Sequence, residues 1–147
     1  MPDSPGDGGQ FTADLYELYE VAQNELRPLA RLYGDFSSTV DETRSCNLDP
    51  APVGGSVGRG QSALRSGSAL VSLRDDVQYA FARSSENIET AAATLVEVTE
   101  NYADTDDTTR ADFESFKAED FPTGTTPRPT PAPVYPDADS GNPLQNG

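Results

Sequence analysis

The chain has 147 residues, of which 25 are acidic and 10 basic, for a net charge of −15. That balance argues against nucleic acid and against insertion into or adhesion to an anionic membrane, since both partners select for positive charge. With no histidine, no tryptophan and a single cysteine, an intrachain disulfide is excluded and a zinc site has no ligand set to draw on.

Nine of the ten bases are arginine and only Lys117 is lysine. That usage fits a high-GC genome or a salt-adapted cell equally well. Cys46 reads as a spectator thiol, an intersubunit bridge being the alternative. No basic region leads into an apolar run near the N-terminus, so a conventional signal peptide is not expected. No stretch approaches 18 consecutive apolar residues, so no membrane-spanning helix is expected either.

In chain order, residues 1–11 are Pro-, Gly- and Asp-rich and read as a disordered arm. Residues 12–45 carry a helical pattern whose apolar seam is Leu15, Leu18, Ala22, Leu26, Leu29, Tyr33, Phe36 and Val40. The spacing resembles a coiled coil with one four-residue stutter, at Leu18–Ala22–Leu26. Thr12 is the expected N-cap. Pro28 lacks an N–H and predicts a kink near Asn24–Arg27.

Residues 46–61 hold four glycines and two prolines without a period and read as a loop. Within it, Gly55 to Ser62 imitates a P-loop. The lysine position holds Gln61 and no apolar strand precedes it, so a glycine-rich connector is the better reading. Ser62 is the expected N-cap of the next helix.

Residues 62–102 carry the strongest periodicity, with a seam of Leu70, Leu73, Val77, Phe81, Ser84, Ile88, Ala91, Leu95, Val98 and Tyr102. The phase persists through Asp106, Thr109, Phe113 and Phe116, so the helix is expected to run on, more weakly, toward Pro122. Residues 122–147 hold seven of the twelve prolines and read as a disordered tail, a spacer rather than a polyproline ligand. The expected fold is all-α: a long antiparallel two-helix hairpin spanning 12–121. Tyr16, Tyr19, Leu32, Val71, Ala80, Ala92 and Val96 widen the apolar surface beyond one seam. A second hairpin covering that excess would complete a four-helix bundle.

The carboxylate pairs Asp75 and Asp76, Glu86 and Glu89, Asp106 and Asp107 are the candidates for acid–base catalysis. All are expected on solvated faces, which gives none of them the desolvation that such chemistry needs. The chain reads as a non-enzyme without catalytic residues, metal or cofactor. One local feature stands out. Glu100–Asp107, ENYADTDD, closes the second helix with Tyr102 and, four residues on, Asp106. Three aspartates crowd what should be a helix C-terminus, where the macrodipole disfavours them. Tyr-x-x-x-acid is a weak pattern, recurring at Tyr16/Glu20 and Tyr135/Asp139; position at the end of the long helix is what singles out the middle one.

An acidic helical hairpin with an alanine-rich second helix, ETAAATLVEVTENYADTD, that ends in Tyr-x-x-x-Asp and leads into a polar tail resembles the small helical substrates of actinobacterial type VII secretion, the Esx-type proteins and their EspC-like relatives. The resemblance covers roughly residues 12–118 and is most specific over 86–107. It implies a protein made in the cytoplasm, paired with itself or with a paralogous hairpin, handed to a secretion ATPase and exported folded. It further implies that Tyr102 and Asp106 are part of the export signal. The family's Trp-x-Gly turn has no counterpart here. Either a partner supplies that half of the signal, or the chain does without it, or the likeness is one of architecture alone. The reading from the other class is a non-secreted cytoplasmic coiled-coil adaptor or scaffold.

Overall fold

The computed structural model describes residues 7–46, 60–122 and 130–137. Among them the chain is helical, with no strand. Helix α1 (Asp7–Val21) passes through a π-helical segment, Ala22–Leu26, into α2 (Arg27–Glu42), which ends in a 3-10 turn, Thr43–Cys46. Helix α3 (Gly60–Ala103) has 44 residues, a length of about 66 Å at 1.5 Å per residue. Helix α4 (Asp107–Asp120) follows after a short turn.

Several boundaries differ from expectation, each for a physical reason. The first helix starts at Asp7, inside the stretch expected to be a disordered arm. Thr12 is buried and lies one turn ahead of buried Tyr16. It is a packed position rather than a cap, so the helix has to begin before it. Likewise α3 opens at Gly60, which puts Ser62 inside the first turn instead of at the cap. Most of the 46–61 loop, with its P-loop mimic, lies outside the described residues.

The expected distortion at Pro28 takes a definite form. The N–H of Arg27 reaches back five residues to the carbonyl of Ala22. This wider turn sits immediately before the proline, whose ring would otherwise meet the carbonyl of Asn24. The two successive four-residue steps in the seam, 18 to 22 to 26, coincide with it. A π turn takes up the extra residue that a stutter inserts.

The described chain divides into two compact units, Met1–Ala30 with Asn87–Thr130, and Arg31–Glu86 with Pro131–Gly147. In the first, α4 does not continue α3 but packs on α1. Leu15, Tyr16, Tyr19, Ala103 and Phe113 form its core, with Val96 and Phe121 against them. Phe113, 1 % exposed, meets Tyr16 and Tyr19 edge-on at ring-centre distances of 6.0 and 5.6 Å. Phe121 does the same to Tyr19 at 5.7 Å. Each such pair contributes about 0.5–1.5 kcal/mol beyond the area it buries. Truncating Phe113 to alanine would cost about 3–5 kcal/mol. The Tyr16 hydroxyl donates to Asp120 Oδ2 at 2.5 Å, which ties the end of α4 to α1.

In the second unit the buried positions are small or polar. Ser37 on α2 and Gln78, Ala82 and Ser85 on α3 are fully or almost fully shielded. A Cβ on Gly34 would stand 3.3 Å from Ser85 Oγ, a close approach that only small residues allow. Gln78 Nε2 donates to Asp41 Oδ1 at 3.1 Å. Phe81 packs against Tyr33 and Phe36 at ring-centre distances of 5.9 and 5.3 Å.

Residues 130–137 depart from the expectation of a spacer. Val134 exchanges hydrogen bonds with Ser37, whose hydroxyl donates to Val134 O at 2.6 Å and accepts from Val134 N at 2.9 Å. Gln78 Nε2 donates to Val134 O as well, at 3.2 Å. Tyr135 lies edge-on to Tyr79 at 5.7 Å, and Asp137 pairs with Arg44. A proline-rich stretch gives up little conformational freedom on docking, so these few bonds suffice to hold it.

Candidate functional site

The ENYADTDD turn is built by two helix ends. Helix α3 closes with the N–H of Asp104 on Glu100 O at 3.0 Å and that of Thr105 on Tyr102 O at 3.2 Å. Asp106 then adopts extended backbone angles, and its carboxylate accepts from the N–H of Thr109 at 3.0 Å and from the Thr109 hydroxyl at 3.2 Å. That is an N-cap. The backbone N–H of Thr109, aided by its hydroxyl and by the N–H of Thr108, holds the Asp106 carboxyl below its ordinary range.

Of the three aspartates, therefore, only Asp104 stays at a helix C-terminus. Asp106 and Asp107 stand at the start of α4, where the macrodipole favours them. The helix does not run on to Pro122 in one piece, and Tyr102 and Asp106 do not share a helical face, because the chain turns between them. Tyr102 stands on the last turn of α3, 57 % exposed. It presents its ring to solvent.

Lys117, the one lysine, lies behind the turn. Its Nζ donates to Glu100 Oε1 at 3.0 Å and sits 5.3 Å from the centre of the Tyr19 ring. Burial works against the ammonium, but the Glu100 hydrogen bond and charge outweigh it and raise its pKa.

The seam residues distribute unevenly. Leu15 is buried; Leu26, Phe81, Ile88 and Leu95 are half-buried; Leu18, Leu29, Phe36, Val77 and Val98 are exposed, as are Leu70 and Leu73. Ala22, a small member of the seam, is fully buried, and the other most completely buried positions lie off the seam, at Ala30, Ala82, Ala92, Ser37, Ser85 and Thr99. Periodicity of large apolar residues marks the exposed stripe, and the small residues that line the closest packing carry too weak a hydropathy signal to be found by it. The carboxylate pairs also need one correction. Asp75 is 1 % exposed, not solvated, and is held by the guanidinium of its neighbour Arg74, with Nη2 to Oδ1 at 2.6 Å and Nε to Oδ1 at 2.9 Å.

Among the described residues no group of three or more His, Cys, Asp or Glu is placed to hold a metal ion, and no helix is long and apolar enough to cross a membrane. Comparison with protein families, with curated proteins and with solved structures finds no match for this chain.

Proposed function

We propose that this chain is a non-enzymatic helical protein that pairs through its exposed apolar stripe and is a substrate, or the partner of a substrate, of a type VII (Esx-type) secretion system. In this reading the two long helices form an antiparallel hairpin, and two hairpins, of this chain or of a paralogue, close a four-helix bundle. The protein leaves the cell without a conventional signal peptide, and a secretion ATPase reads Tyr102 with Asp106.

The observation that carries the reading is the set of large side chains left in solvent, Leu18, Leu29 and Val98 in the first unit and Phe36, Leu73 and Val77 in the second. Burying what these side chains still expose, 36–58 % of each, yields roughly 4–8 kcal/mol gross, within the range of the association cost of about 4–15 kcal/mol. The acidic, histidine-free composition and the position of Tyr102 at the end of α3 support the rest.

A second reading, a cytoplasmic scaffold or adaptor, is favoured by one fact: capping α4 already explains Asp106 without an export role. Export separates the two. Asp106→Asn keeps a capping side chain and removes the charge, and Tyr102→Ala removes an exposed ring without opening a cavity. Both variants should fold, and sediment as complexes, like the wild type, while their amount in culture filtrate falls at least tenfold against the cell pellet. Normal export of both, or a wild type that never leaves the cell, would decide for the scaffold. A monomeric wild type would remove the bundle from either reading.

A further inference from the structure

Residues 130–137, Thr-Pro-Ala-Pro-Val-Tyr-Pro-Asp, lie along α2 in parallel register. Pro131 O is 3.9 Å from a Cβ built on Gly34, Val134 bonds to Ser37, and Asp137 pairs with Arg44. Residues 130–137 form neither helix nor strand, and the segment's prolines at 131, 133 and 136 fix φ near the value of polyproline II. Its contacts are read in the manner of a peptide ligand. The Ser37 hydroxyl takes both backbone groups of Val134, Gln78 takes the same carbonyl a second time, Tyr79 receives the ring of Tyr135, and Arg44 takes the acid. Ser37 and Gln78 are fully shielded with the segment in its groove, and Gln78 Nε2 also donates to Asp41 Oδ1, which orients its amide independently of the segment.

We propose that this groove is a peptide-recognition site for an extended Pro-x-Pro-x-Tyr-Pro-acid segment, and that residues 130–137 of a second copy of the chain fill it in trans. The copy is the occupant that the observations favour, because its segment is identical to the one already seated and meets the same hydrogen bonds, ring and guanidinium. Val134 and Asp137 stay exposed, and Pro136 is the one buried residue of 131–137, so release and exchange give up a few polar bonds and little apolar contact. The proposal is independent of export.

The test uses full-length chains. Val134→Pro deletes the N–H that Ser37 accepts and keeps the extended backbone, weakening the chain's own segment and leaving the groove intact. Ser37→Ala does the reverse. A fluorescent synthetic peptide of residues 130–137 should bind the Val134→Pro chain at least tenfold more tightly than the wild type, whose groove is filled. Adding Ser37→Ala to that chain should lose the binding again. In the exchange experiment, the Val134→Pro chain is isotope-labelled and mixed with unlabelled Ser37→Ala chain. The amide resonances of Gln78 and Tyr79 should move to their wild-type positions, and unlabelled Val134→Pro chain should not move them. Should Val134→Pro lose helical circular dichroism, Tyr135→Ala serves as the weakened segment. Failure of the peptide to bind, or binding that ignores Ser37→Ala, overturns the recognition site. Peptide binding without any shift on mixing overturns the second copy as its occupant.

Discussion

At the scale of single residues, the most informative change of role is that of Asp106. Its spacing from Tyr102 was legible in the sequence, but the use of its carboxylate was not. A helix that breaks and restarts within four residues keeps the same period on both sides, so periodicity ran straight through the turn. The signal that could have found the break is Asp106 followed three residues on by Thr109, a capping side chain ahead of a helical run. As an N-cap, Asp106 should tolerate asparagine and not alanine: Asp106→Ala lowers the melting temperature, whereas Asp106→Asn nearly preserves it. The pH dependence has a definite sign. The folded carboxyl titrates below the unfolded one, so its stabilisation is complete above the unfolded value, near 3.8, and is lost as pH falls through the folded value. Thermal melts of the three proteins between acid and neutral pH check both points. If alanine and asparagine behave alike, the cap contributes nothing.

At the scale of elements, the two long helical stretches were legible and their packing faces were not. Leu, Val and Phe at coiled-coil spacing draw the eye to the widest apolar stripe. A close helix contact is set by what the side chains leave room for, so Gly34, Ser37, Ala82 and Ser85 go inside and Phe36 and Val77 are left at the edge. Gly34 tests this directly. Alanine there would gain up to about 1 kcal/mol in helix propensity while crowding Ser85 Oγ at 3.3 Å, two effects of opposite sign. Leucine has no such escape, and Gly34→Leu should destabilise the second unit by about 1–3 kcal/mol through overpacking. On a helix surface leucine would be neutral or helpful, so a denaturation midpoint that is unchanged or raised would refute the close contact. In the sequence α4 looks like a fading continuation of α3, because Phe113 and Phe116 keep its phase and nothing signals that they turn back onto Tyr16.

For the molecule as a whole, acidity in the composition hides a sensitivity to base. Burial and the Asp120 carboxylate raise the Tyr16 hydroxyl well above its usual range. Burial and Glu86 push Tyr135 up to about 12, and Lys117 is raised as well. A group whose folded pKa is raised contributes stability in full below its unfolded value and loses it as pH climbs through the folded one. Both units should therefore weaken together from about pH 10, the ordinary tyrosine value, through 12 and beyond. Urea midpoints measured across that range should fall in the wild type and fall less in a Tyr16→Phe, Tyr135→Phe double variant; parallel curves would show that these hydroxyls do not set the alkaline limit. The π-helical segment has a consequence of a different kind, in what lineages of this chain can inherit. The extra residue in Ala22–Leu26 and the proline after it are linked in one direction only. Losing one codon there would restore an ordinary α-turn, drive the Pro28 ring into a carbonyl and throw the apolar seam before it out of phase with the seam after it, whereas replacing Pro28 leaves the seam in phase. Descendants should therefore be free to lose the proline but not the extra residue.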